Sequence, residues 1–221
     1  MTDIATAEES PRGRVRPGTR GAFANAAALA VPLLLVLGVA LAARFLRPRP
    51  PLPVFGEVPA FHLVDQRGEP YGADTMRGHV TVVDFVFTRC TSSCPRLTAR
   101  MAELQGRLAS ARSDVRLVSF SVDPENDTPA VLTRYAASTH ADAARWTFVT
   151  GPVDDVSAAV VRGFKVSAAK FATGANDYDV THGDWFVLVD AKGKLRGYYS
   201  TVEASDVERL AADAMRLEHE R

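Results

Sequence analysis

Between Val80 and the C-terminus, apolar and polar positions follow two alternating periods. VTVVDFVF, Val80 to Phe87, is a short β-branched and aromatic run and reads as a buried strand. Leu97, Met101, Leu104 and Leu108 recur at helical spacing and mark one face of a helix. Pro95 suits the first position of that helix, where a missing N–H costs nothing. VRLVSFSV, Val115 to Val122, is a second strand, and Asp127-Thr128-Pro129 then starts a helix with Thr128 as N-cap. WTFV, Trp146 to Val149, is a third strand, followed by a short helix from Asp154 to Val166. WFVLV and LRGYY, separated by DAKGK, predict a hairpin. The last helix opens with Ser205-Asp206-Val207-Glu208 as a capping box and buries Val207, Leu210, Ala214 and Leu217. Strands alternating with helices, closed by a hairpin and a helix, predict an α/β layered domain. Ser167 to Asp184, SAAKFATGANDYDVTHGD, breaks the pattern as a long irregular connection, the kind of loop that often carries function.

The first fifty residues follow a different rule. No charge interrupts GAFANAAALAVPLLLVLGVALAA, Gly21 to Ala43, which is long enough to cross a bilayer as a helix and tolerates Pro32 there. It predicts a single N-terminal transmembrane helix, with the anchor spanning 21–46. A cleavable secretory signal has a shorter apolar region; Ala40-Leu41-Ala42 mimics its cleavage site, but the length favours an uncleaved anchor. Arg12, Arg14, Arg16 and Arg20 precede the run, and Arg44, Arg47 and Arg49 follow it, so flanking charge orients it only weakly. A short N-terminal arm and a large C-terminal domain fit a signal anchor. The expected location is a bacterial-type inner membrane, with the C-terminal domain on the periplasmic or extracytoplasmic side. Residues 1–20 then form a disordered arm, 47–53 a Pro-rich spacer, and 54–221 a single domain. With 26 basic and 26 acidic side chains, the chain offers no electrostatic reason to expect a nucleic-acid partner.

The chemistry concentrates in DFVFTRCTSSCP, Asp84 to Pro95, which holds the only two cysteines, Cys90 and Cys94. Both belong at the C-terminal edge of a strand, beside a helix start whose partial positive charge favours thiolate. At least one is therefore expected to be acidic and partly exposed. Three uses stay open. A structural disulfide would close a very small loop and add little by chain entropy. Thiol–disulfide exchange is the second use. Metal binding is the third: two thiolates are soft ligands that suit Cu(I), whereas structural zinc normally takes four protein ligands. Of five histidines, His140 and His219 lie in polar surroundings, His62 in an edge strand and His79 in a turn after Gly78. His182 closes the irregular loop just before WFVLV, where it can reach the cysteine edge. Asp84, inside an apolar strand, has two readings. Buried, its pKa rises and it can move protons for the thiols; at a solvated strand end it does neither.

DFVFTRCTSSCP, SFSVDPENDTPAVLTRYA (Ser119 to Ala136), WTFVTG (Trp146 to Gly151) and VTHGDWFVLVD (Val180 to Asp190) together resemble the Sco/SenC family, in order through most of residues 54–215. The resemblance implies a thioredoxin-like domain, a central mixed β-sheet flanked by helices, that carries copper. Its metal ligands would be Cys90, Cys94 and His182. The cargo would be Cu(I), with Cu(II) as a second state in which Asp84 or Asp179 is a conceivable added ligand. The implied function is that of a membrane-anchored metallochaperone for the dinuclear copper site of cytochrome c oxidase. Its partners would be the oxidase's copper-site subunit and a copper donor protein. The alternative is a thiol–disulfide oxidoreductase, redox-active at Cys90 and Cys94, that reduces the oxidase's copper-site cysteines. Whether the chain is an enzyme depends on which reading holds. Two positions depart from the pattern: many members have proline directly after the first cysteine, here Thr91, and many have an aromatic where this chain has Asp84, the position of thioredoxin's buried acid, which keeps a redox role open. General dithiol oxidoreductases place a cis-proline before the late strand, and no proline follows Pro152. The peroxiredoxin pattern P-x-x-x-T-x-x-C fails as well, with Val83 and Phe87 at its key positions.

Overall fold

A computed structural model describes residues 32, 35–39, 50–165 and 185–220. The chain divides into two compact units, residues 1–51 and 52–221. In the first, Pro32 and residues 35–39 are helical. Most of the expected anchor, 21–46, lies outside the described residues, and no described helix is long and apolar enough to cross a membrane.

The second unit is built on one mixed sheet of strands β1 (Gly56–Glu57), β2 (His62–Asp65), β3 (Pro70–Gly72), β4 (Thr81–Val86), β5 (Arg116–Ser121), β6 (Trp146–Thr150), β7 (Trp185–Val189) and β8 (Lys194–Ser200). Their order is β1-β8-β7-β4-β5-β6-β2-β3. β4, β5 and β6 run parallel, and the others pair antiparallel. Among the described residues the α-helices of this unit are α1 (Ala73–Met76), α2 (Cys94–Ser110), α3 (Pro129–Ser138), α4 (Val153–Ser157) and α5 (Ala204–His219). α2 links β4 to β5 and α3 links β5 to β6, the crossovers that parallel neighbours require. The α/β sheet expected from the alternating pattern is therefore present, with β7 spanning the same residues as WFVLV.

Side-chain alternation along β4 explains the chemistry above it. Successive residues face opposite sides of a sheet. Phe85 joins Phe61, Phe120 and Phe164 in an aromatic cluster, with Phe120 and Phe164 edge to face at 4.9 Å between ring centres. Asp84 consequently faces the other side. Its register partner in β5 is Ser119, whose Oγ accepts the Trp146 indole N–H at 2.8 Å. Over the same parallel strands α2 buries Leu97, Met101, Leu104 and Leu108, and α3 buries Leu132, as the helical spacing in α2 predicts.

Four local expectations need correction. Cys94, not Pro95, is the first residue of α2; Pro95 is second, a position equally free of the need for an N–H donor. α5 begins at Ala204, so Ser205 lies inside the first turn and forms no cap; the chain leaving β8 has already turned before reaching it. The helix expected over 154–166 is α4 followed by a π-helical turn, Ala158–Gly163, closed by Phe164 N–H donating to the Ala159 carbonyl at 3.0 Å. Its last residue, Gly163, lies close to Pro59, whose ring a Cβ there would meet at 3.0 Å. Finally, His62 is not on an edge strand, because β3 pairs outside β2. Arg196 holds the start of the unit, bonding the Leu52 and Pro53 carbonyls at 2.7 and 3.1 Å and the Asp190 carboxylate at 2.7 Å.

Candidate functional site

β4 ends at Val86, and the chain turns at once, with Cys90 N–H donating to the Phe87 carbonyl at 3.1 Å. It then enters α2 at Cys94. A helix start leaves N–H groups without acceptors. Ser93, the residue before the helix, supplies no side-chain cap. The Cys94 N–H points instead at the Cys90 Sγ, 3.3 Å away, so one cysteine's sulfur terminates the helix that carries the other. The Ser92 hydroxyl adds a contact to the same sulfur at 3.6 Å. Both thiols are free.

The two differ sharply in electrostatics. Cys90 is half-buried and lines an open depression of about 280 Å³ with Phe87, Arg89, Thr91 and Ser92. Partial burial pushes its thiol up, but contacts from Cys94 and Ser92 outweigh this and bring it down to about 7. Cys94 faces the core at 1 % exposure, and burial raises its pKa strongly, helped by the Cys90 thiol beside it and by the Asp84 charge. The expectation of one acidic, partly exposed cysteine thus falls on Cys90, the residue before the helix rather than the one inside it.

Asp84 takes the buried of its two readings. It is fully buried, and neither carboxylate oxygen reaches hydrogen-bonding geometry among the described residues. Burial pushes its carboxyl up to about 7, with Ser119 offsetting part of the shift. Nearby, Tyr135 shares a 2.7 Å hydrogen bond with Thr98 of α2, and burial together with the charges of Asp84 and both cysteines raises its phenol to about 12.

A second group of residues escaped the reading of the sequence. The turn after β5 carries Asp123 and Asp127, which bind Arg89 and Thr88, the two residues before Cys90. In the sequence VDPENDTP counts toward the Sco/SenC resemblance, and its Asp127-Thr128-Pro129 reads as a helix start. The helix start holds, since Thr128 Oγ1 accepts from Val131 N at 3.4 Å, but the carboxylates of Asp123 and Asp127, four residues apart in one turn, were the unused signal.

The histidines and the second candidate carboxylate complete the account of the expected ligands. His182 and Asp179 lie outside the described residues. His62, His140 and His219 are exposed, and His79 pairs with Asp114 at 3.3 Å. Among the described residues no group of three or more metal-binding side chains occurs. The described donor set is two soft sulfurs, one poised to ionise near neutrality. That chemistry suits a soft monovalent ion such as Cu(I) and leaves room for a donor from elsewhere.

Comparison with known proteins agrees with this arrangement. The SCO1 protein homolog of Bacillus subtilis is 34% identical over 162 residues, 73% of this chain and 82% of that protein. The structure of BsSco, a member of the Sco family of cytochrome c oxidase assembly proteins in which a disulfide switch was identified, is 30% identical. It covers 77% of this chain and 98% of its own, with a TM-score of 0.67. ScoI of Bradyrhizobium japonicum, solved with copper bound, is 26% identical over 73% of this chain and 99% of its own, with a TM-score of 0.57. These likenesses give the α/β unit the thioredoxin-like fold of Sco proteins. The SCO1/SenC family model matches residues 54–217, nearly the whole second unit, and the chain belongs to that family.

Proposed function

We propose that this protein binds copper through Cys90, Cys94 and His182 and delivers it to the dinuclear copper site of cytochrome c oxidase. The carrying observation is the sulfur pair. Cys90 Sγ is held by the Cys94 N–H at 3.3 Å, half-exposed and with its pKa lowered to about 7. Ionising it costs little at neutral pH, and its exposure gives a partner's thiolate access. Cys94 is buried and retains its proton until a metal displaces it. Copper is then cargo, passed by ligand exchange that begins at the accessible sulfur. The copper bound to Bradyrhizobium japonicum ScoI supports the choice of metal. The BsSco comparison supports oxidase assembly as the setting. The proposal includes an N-terminal anchor over 21–46, a domain on the extracytoplasmic side, and a copper donor protein upstream.

An anaerobic Cu(I) titration of reduced residues 52–221 tests it. One tight equivalent is expected, lost in Cys90→Ser and Cys94→Ser and weakened in His182→Ala. Weak binding by the unaltered domain, or a His182→Ala variant with unchanged affinity and spectrum, counts against the three-ligand site.

A second reading, reduction of the oxidase's copper-site cysteines, is favoured by one observation. An accessible thiol with pKa about 7 is near the optimum for attack on a disulfide at neutral pH. Turnover of an oxidised copper-site peptide without copper would establish it.

A further inference from the structure

The polar turn after β5 ties down the residues that lead into Cys90. Asp127 is fully buried, yet its carboxylate meets four donors. Thr88 supplies its backbone N–H at 3.1 Å and its hydroxyl at 2.5 Å. Ser121 and Asn126 add bonds at 2.7 and 2.9 Å. A buried carboxylate costs heavily unless its lone pairs are filled, and these are. Asp123, 1 % exposed, takes the Arg89 guanidinium through Nε at 3.1 Å and Nη2 at 2.6 Å. The turn closes on itself, with Asn126 and Asp127 N–H groups both donating to the Asp123 carbonyl at 3.0 and 2.9 Å.

The cysteine loop needs such support. Thr91 and Ser92 are exposed, and the Cys90 backbone is tied locally by its N–H to the Phe87 carbonyl. A loop left to itself must be ordered when it captures a metal, and that ordering costs affinity. Two carboxylates fixed in the turn that follows the neighbouring parallel strand remove the cost in advance.

We propose that Asp127 is a positioning residue for Cys90. Through Thr88 it fixes the turn between β4 and α2, with Asp123 and Arg89 as a second strut, so that the Cys90 sulfur is already placed against Cys94 when metal arrives. The inference rests on the copper reading above and assigns the second aspartate of the VDPENDTP segment a task beyond starting α3.

The test uses the reduced full-length chain and four variants: Thr88→Val, Thr88→Ser, Asp127→Asn and, as a stability control distant from the turn, Leu217→Val. Two quantities are read: Cu(I) affinity by partition against a chromophoric Cu(I) chelator, and hydrogen exchange of the Cys90 amide in the metal-free protein. Thr88→Val and Asp127→Asn should weaken Cu(I) binding about tenfold, the scale for residues that orient a ligand without touching the metal. The same variants should speed Cys90 exchange on the order of tenfold. Thr88→Ser, which keeps the hydroxyl, should restore both, and Leu217→Val should change neither although its Tm falls. Unchanged affinity and exchange in Thr88→Val overturns the proposal. So does a loss that Leu217→Val reproduces at matched Tm. If the unaltered chain takes up no Cu(I), the copper reading falls and exchange decides the brace alone. Accelerated Cys90 exchange in Thr88→Val, rescued by Thr88→Ser, upholds it; unaltered exchange overturns it. Should Asp127→Asn fail to fold, Thr88→Val carries the test, because it removes one hydroxyl at a half-buried position.

Discussion

Asp84→Asn should flatten the pH dependence of stability between pH 5 and 8 and make the domain more stable at pH 8. In the unfolded chain this carboxyl ionises near its ordinary value of 3.8; folded, burial holds it near 7. Between those values the folded state binds the extra proton, so stability falls as pH rises. The contribution is fully present below 3.8, is lost progressively up to about 7, and is flat beyond. A shift of that size corresponds to about 4 kcal/mol at full development. Asparagine keeps the shape and removes the charge, though it leaves an unpaired amide that returns about 1–3 kcal/mol of the gain. Urea titrations of the parent and the variant at pH 5 and pH 8 measure it. Parallel pH slopes would mean that Asp84 ionises in the folded domain without penalty, and would sink the argument.

The penalty has a structural setting. β4 is otherwise Thr81, Val82, Val83, Phe85 and Val86, all buried, and a leucine or valine at 84 would fit the pattern better. The chain keeps a carboxyl there, on the face that also carries Cys94 and Tyr135, whose pKa values both feel its charge. Asp84 is therefore a buried acid within electrostatic reach of the less accessible sulfur. Its protonation near neutrality lets that neighbourhood be neutral or negative at small cost, which neither a fixed charge nor an apolar side chain permits.

How far the sequence exposed this arrangement varied with the range of the interactions. β7 coincides with WFVLV because a strand buried on both faces shows as a short continuous apolar run, and the buried stripe of α2 coincides with Leu97, Met101, Leu104 and Leu108 because burial on one side imposes a period on the sequence. The Thr128 cap was legible because its partner is three residues away. Ser205 misled for the complementary reason: a capping box describes a local possibility, and the turn out of β8 decided where α5 starts. The π-helical turn before Phe164 sets Gly163 against Pro59, about a hundred residues earlier in the chain, and leaves no periodic trace. The site divides in the same way. Both cysteines and the buried acid were visible as residue types in odd places. Which cysteine is acidic was not, since it turns on whether the Cys94 N–H aims at Cys90. Nor was the link from Thr88 to Asp127, which spans 39 positions and exists only because β4 and β5 lie side by side.

That asymmetry between the sulfurs yields the other large effect. At pH 7 iodoacetamide should label Cys90 and leave Cys94 almost untouched, with rates differing on the order of a hundredfold or more. Two causes act together. Cys90 is half-exposed with a thiol near 7, so about half of it is thiolate at that pH, while Cys94 is 1 % exposed and its thiol is pushed far above the ordinary value. The Cys90 rate should rise with pH and level off above 7, since only the thiolate reacts. In Cys94→Ser the backbone N–H at 3.3 Å remains but the neighbouring thiol is replaced, so the inflection should persist and shift. Mass spectrometry of the quenched, digested protein reads both sites in one sample. Equal labelling would remove the distinction on which directional exchange depends. Selective labelling fixes the order of events for either chemistry at this site: an incoming thiolate or disulfide meets Cys90 first, and Cys94 becomes available only after its partner has moved. The same order serves a chaperone that releases copper one ligand at a time and a reductase that attacks through one sulfur and resolves with the other. One fold can therefore support both, and the accessible thiol's pKa near neutrality is the property they share.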